Sequence, residues 1–88
     1  IISIYGGGNN MKYTFKIKDK DGKCTEYKHI IKACYTIPVP GATETVVEGE
    51  DLFTHRYKPH YDLYLYSENE AFTISKRAMA VIEVAKEN

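Results

Sequence analysis

The chain has no tryptophan, only two cysteines and three prolines, and no excess of either charge: twelve Lys and Arg balance twelve Asp and Glu. Each shortage excludes something. Neutrality argues against a partner held mainly by bulk charge, such as duplex DNA or an acidic membrane. No apolar run approaches the roughly 20 residues of a membrane span, and no secretory signal is recognisable, so the expected location is the cytoplasm and no membrane partner is expected. Cys24 and Cys34 lack CxxC spacing. On one continuous strand they would share an outer face about 33 Å apart, at roughly 3.3 Å per residue. Bridged Cα atoms sit roughly 4.4 to 6.8 Å apart, so free thiols and a reducing compartment are expected.

Alternation is what the sequence has in quantity. From Met11 to Lys18 the odd positions Met11, Tyr13, Phe15 and Ile17 are apolar and the even ones polar, the period-2 signature of a strand with one buried face. Lys20, Asp21 and Gly22 then supply a three-residue turn with Gly22 left-handed. That turn sets Ile17 opposite Thr25, Phe15 opposite Tyr27, Tyr13 opposite His29 and Met11 opposite Ile31. It also pairs Lys16 with Glu26 across the strands. Tyr27, Ile30, Ile31 and Cys34 also fit helical spacing, but turn chemistry, alternation and charge pairing agree on a hairpin.

The second strand is expected to run on, long and bent, through Ala33, Tyr35 and Ile37 until Pro38 and Pro40 end it. Thr43 to Glu48 reads as a third strand returning along the second. Glu50 to His60 reads as irregular, with Leu52 and Phe53 anchoring it to the core. Tyr61 to Tyr66 is a fourth strand, with Leu63 and Leu65 on one face and Asp62, Tyr64 and Tyr66 on the other. Phe72 and Ile74 mark a fifth, in a register that places Leu65 opposite Phe72 and Leu63 opposite Ile74. In the last segment Ala78, Val81, Ile82 and Ala85 fit a helix with Ser75 as N-cap, yet the β-branched Val81, Ile82 and Val84 favour a strand. The expected fold class is all-β or β-rich α+β, a small antiparallel barrel or sheet of about six strands on the scale of SH3-like or OB-like domains. The alternative is a five-stranded sheet with a C-terminal helix.

Residues 11–88 suit a single small β domain. Residues 1–10 read differently. Gly6 to Gly8 can be encoded by GGAGG, a bacterial ribosome-binding sequence, and two Asn codons give a short spacer before Met11, so a translated leader with a native start at Met11 is the expectation. The other reading makes Ile1 to Tyr5 an extra edge strand, able to pair on a sheet edge of the same or a neighbouring molecule. Phe, Tyr, Met, Ile, Asn and Lys outnumber Gly, Ala, Arg and Pro 36 to 17, which suits the AT-rich genome of a low-GC Gram-positive bacterium or its mobile element.

Catalytic chemistry is sparse. His55 and His60 lack an adjacent Cys or carboxylate to complete a metal spacing. Glu48, Glu50 and Asp51 lack the ligand order of a calcium loop. Strand alternation sends His29 and Cys34 to opposite faces. The triple glycine lacks a phosphate loop's Lys-Ser/Thr. No cofactor, no metal and no enzymatic activity are expected.

The most suggestive residues are aromatic and basic together: Arg56, Tyr57, Lys58, His60, Tyr61, Tyr64 and Tyr66 lie within eleven positions. Tyr and Arg are enriched where proteins bind one another, and neutral net charge favours a protein partner. The competing reading is a small barrel that stacks unpaired bases on its tyrosines, served by a basic row of Lys12, Lys16 and Lys18. The plain reading is that tyrosine forms good strands and covers a thin core.

Overall fold

Among the described residues, seven strands, β1 (Tyr13–Lys18), β2 (Cys24–Ile30), β3 (Lys32–Thr36), β4 (Glu44–Glu48), β5 (Leu63–Tyr66), β6 (Ala71–Ile74) and β7 (Val81–Lys86), follow the alternating segments of the chain. A computed structural model describes residues 11–87; the expectations for residues 1–10 lie outside them. All pairings are antiparallel, in two sheets of order β2-β1-β7 and β4-β3-β5-β6. The class is β-rich, as expected, but the sheets do not close into a barrel and the strands number one more than anticipated. The C-terminal segment is a strand; Ser75 caps only a 3-10 turn over Lys76–Ala78, its hydroxyl accepting from the Arg77 amide.

The first hairpin follows its turn chemistry. The Gly22 amide donates to the Asp19 carbonyl, the Asp19 amide to the Lys23 carbonyl, and the Asp19 carboxylate accepts from the amides of Asp21 and Lys23. Ile17 faces Thr25, Lys16 faces Glu26 and Phe15 faces Tyr27. Gly22 has φ +87° with open space around its missing Cβ, so the turn needs glycine for its backbone and not for clearance. Replacing Gly22 by Val is expected to cost about 1–3 kcal/mol through left-handed strain, read as a lowered thermal midpoint.

Beyond Phe15 the anticipated register fails. Tyr13 faces Ile30, not His29, because β2 carries one extra residue there, and so Met11 does not oppose Ile31 as projected. The bulge turns the exposed His29 out, at φ 63°, and lets the fully buried Ile30 take the core position. Burying Ile30 rather than an imidazole is the favourable exchange. Glu87, after β7, holds the bulge in place. Its Oε2 accepts from the His29 amide and from the Thr14 hydroxyl, both at 2.7 Å, and its Oε1 lies 2.8 Å from His29 Nδ1. Burial pushes the Glu87 carboxyl up, but these bonds outweigh it and leave it below the ordinary value of 4.5. Its contribution to stability is therefore complete above about pH 4.5 and is lost as the pH falls through the lower folded-state value. Glu87→Gln should flatten that acid limb in a pH series of thermal midpoints.

The long second strand is in fact two strands. Ile31 leaves the ladder of the first sheet, and its amide donates to the Tyr66 carbonyl in the second. Past this bend the odd positions face inward again, with Ala33 and Tyr35 buried. Cys24 and Cys34 consequently lie in different sheets, both free, the first exposed and the second buried. β5 and β6 pair Leu65 with Phe72 and Leu63 with Ile74. The two inner faces share one core of Tyr13, Phe15, Ile17, Ile30, Leu63, Leu65 and Ile74 with their neighbours. A short helix, α1 (Asp51–Thr54), touches both β4 and β7, the outer strands of the two sheets. Leu52 on it is fully buried, but Phe53, expected as a second anchor, is 43% exposed and stacks beside Tyr13.

Candidate functional site

The chain leaving α1 runs across the open side of the structure as residues 55–61, held from below by aromatic rings. Tyr57 sets its ring edge-on to Phe15 at 5.2 Å, and its hydroxyl donates to the Leu52 carbonyl at 2.9 Å. Tyr61 stacks on Tyr35 with centroids 4.0 Å apart and planes within 9°. The Tyr61 hydroxyl accepts from the Lys58 amide at 2.9 Å, and Tyr35 Oη is hydrogen-bonded to His55 Nε2 at 2.6 Å. Burial drives the Tyr57 phenol far above its ordinary pKa, with Tyr35, Tyr61 and Asp51 adding to the effect. Burial also raises Tyr61, partly offset by the Lys58 amide. Tyr57 and Tyr61 fix the segment and stay neutral at physiological pH.

The same alternation that turns Tyr57 and Tyr61 inward turns Arg56, Lys58 and His60 outward, all three exposed. Among the described residues none of the three reaches an acidic side chain within ion-pair distance. They rim a cleft of about 370 Å³ whose floor is Tyr35, Ile37, Pro38 and Tyr61. Arg56 and Lys58 also border a second cleft of about 510 Å³, formed with Phe53, His55, Tyr57, Ile82 and Val84. A third, of about 180 Å³, continues past Pro38 and Tyr61 to Tyr64 and Lys76. The clefts therefore form a belt around residues 55–61; the first has an apolar floor, Arg56 and Lys58 border the first and second, and Asp62 and Lys76 line the third.

The seven residues singled out from the sequence divide accordingly. Arg56, Lys58 and His60 are surface groups, Tyr57 and Tyr61 support them, and Tyr64 and Tyr66 lie half-buried on the outer face of the second sheet. The Tyr66 ring sits under Lys32 Nζ at 4.7 Å. Lys12, Lys16 and Lys18 do not extend this surface as a free basic row. Lys12 pairs with Glu68 at 2.7 Å, which holds the Glu68 carboxyl below its ordinary pKa. Lys16 stands between Glu26 and Glu83 in register. The contributions of Tyr35, Ile37, Pro38, Ile82 and Val84 were not anticipated, since they come from distant parts of the chain: β3, the turn after it, and β7. One local signal existed: Ile37 and Val39 are apolar residues beside prolines, and they stand 48% and 55% exposed.

Among the described residues no group of three His, Cys, Asp or Glu converges as metal ligands. Cys34 is buried, and burial raises its thiol pKa, with Glu44 adding, the opposite of what a nucleophile needs. No helix among the described residues is long and apolar enough to cross a membrane. No protein-family model matches this chain, and neither does any curated protein or solved structure.

Proposed function

We propose that this is a non-catalytic protein-interaction module that engages its partner through the belt around residues 55–61. The observation that carries the reading is the pair of exposed cations Arg56 and Lys58, with the exposed His60 beside them, free of acidic partners among the described residues, above an apolar and aromatic floor. Such a surface offers rigid rings for apolar anchors and unpaired donors for carboxylates, the composition of interaction hot spots. Single-stranded nucleic acid is the weaker reading, because the lysines that would track a phosphate backbone are interleaved with Glu26, Glu68 and Glu83, and such binding depends on an unbroken basic groove.

The test is affinity capture from cells that encode the protein, comparing the wild type with Arg56→Glu/Lys58→Glu, alongside a single-stranded oligonucleotide titration at low salt. A protein retained by the wild type and lost with the variant is the expected result. Oligonucleotide binding that strengthens as salt falls, with no protein lost, would replace this reading with the nucleic-acid one.

A further inference from the structure

The sheets end in four outer strands, and they are not equivalent. β2 is interrupted by the bulge at His29, β6 has four residues, and β4 is flanked by Glu44 and Glu48. β7 alone presents six regular residues, Val-Ile-Glu-Val-Ala-Lys, without proline or bulge. Bulges and short length are usual protections of an edge against added strands, and β7 has neither, although it carries Glu83 and Lys86.

The hydrogen-bond phase of β7 can be read from its end. The Glu87 amide donates to the Lys12 carbonyl at 3.1 Å. Alternation then turns the amides of Val81, Glu83 and Ala85 toward β1 and those of Ile82, Val84 and Lys86 away from it. β7 pairs with β1 alone among the described residues, so these three outward amides have no strand beside them there.

The side chains of the same three residues face the inner side of the sheet. Ile82 and Val84 line the cleft of about 510 Å³ with Phe53 and Tyr57, and Lys86 Nζ lies 4.9 Å from the centre of the Phe53 ring. Arg56 and Lys58 stand on the opposite lip. Among the described residues an unpaired edge thus runs beside a cleft walled by Ile82, Val84 and Phe53 and bordered by Arg56 and Lys58. An extended segment laid on that edge directs alternate side chains into the cleft, where aliphatic groups meet Ile82, Val84 and Phe53 and a carboxylate meets Arg56 and Lys58.

We propose that β7 is a strand acceptor: an extended segment of a partner protein, with aliphatic and acidic residues at alternate inward positions, adds to the β7 edge and fills the cleft beneath residues 53–58. This rests on the interaction-module reading and specifies its mode of binding.

The probe is a capped peptide, Thr-Val-Thr-Glu-Thr-Val-Thr, whose order is the same in either direction. Two derivatives are N-methylated at alternate residues, one at the threonines and the other at the valines and glutamate. Saturable binding is expected to survive methylation of one set and vanish with the other, because only one set of peptide amides faces β7. Amide exchange at Ile82, Val84 and Lys86 should slow on binding, and exchanging the peptide glutamate for lysine should weaken it at least about tenfold. Equal binding of both methylated peptides overturns strand addition; if that binding is still lost with Arg56→Glu/Lys58→Glu, the interaction-module reading stands without it. Protection of the three amides in the free protein, or no saturable binding, also overturns the proposal. Undiminished binding to the Arg56→Glu/Lys58→Glu protein overturns the acidic character assigned to the partner.

Discussion

A protein carrying Phe15→Ala is expected to lose most of its stability and to hold a substantial unfolded fraction at room temperature. Phe15 is fully buried in the middle of the central strand of the first sheet, with Tyr27 and Val84 in register on either side. Its ring meets Tyr57 edge-on, so it supports both the core and the segment that carries Arg56 and Lys58. Truncating a buried Phe costs about 3–5 kcal/mol, while a domain's whole stability is about 5–15 kcal/mol and a chain this short lies toward the low end. Far-ultraviolet circular dichroism across a urea series reads the loss. Phe15→Leu keeps most of the volume and should retain the fold at a cost below about 1.5 kcal/mol. A Phe15→Ala protein that melted with the wild type would place the centre of the core elsewhere.

How much was legible in the sequence depends on how local the cause was. Ile17 opposite Thr25 and Phe15 opposite Tyr27 follow from a turn of three residues, and Leu65 opposite Phe72 from alternation on both sides of a short loop. The break between β2 and β3 has a remote cause. The left-handed His29 is held by Glu87 across 58 positions, and nothing near His29 announces a bulge. An unbroken alternation was the simpler reading, and it placed an imidazole where the core takes Ile30. Phe53 misled for a related reason. It sits in a buried-looking Leu-Phe pair, but a single helical turn can direct only one of two neighbours inward, and Leu52 occupies that place.

The candidate site shows the same division. The side chains of Arg56, Lys58 and His60 and the rings between them are contiguous and could be read directly. Tyr57 and Tyr61, however, serve as supports, because their neighbours Phe15 and Tyr35 come from strands far back in the chain. Whether Lys16 was a free cation likewise turned on β7, whose Glu83 arrives from 67 positions away to stand opposite it. Tertiary pairing, not composition, set Lys12 against Glu68 and Lys16 between Glu26 and Glu83, while Arg56 and Lys58 have no acidic side chain within ion-pair distance among the described residues.

Alkaline pH should unfold this protein abruptly, and tyrosine is the reason. Tyr13, Tyr57 and Tyr61 all have phenol pKa values raised above 10.0, in each case chiefly by burial. A group whose folded-state pKa is raised keeps its proton in the native protein after the unfolded chain has lost it. Below pH 10 both states are protonated and nothing is lost. Above it the unfolded state gains by ionising, and stability falls with each further rise until the folded-state values are passed. Each such group contributes a slope of about 1.4 kcal/mol per pH unit, so three acting together remove about 4 kcal/mol per unit. Against an ordinary domain stability of about 5–15 kcal/mol, that slope is steep. The signature is a single cooperative rise in tyrosinate absorbance coincident with loss of the circular dichroism signal, distinct from the gradual titration of exposed phenols. Tyr13→Phe tests the assignment. The Tyr13 hydroxyl is buried with no hydrogen-bond partner among the described residues, so its removal also relieves a desolvated polar group, for which about 1–3 kcal/mol is the usual cost. The variant should be more stable at neutral pH and should unfold at higher pH along a shallower slope. An unchanged alkaline midpoint would mean that Tyr13 ionises with equal ease in both states.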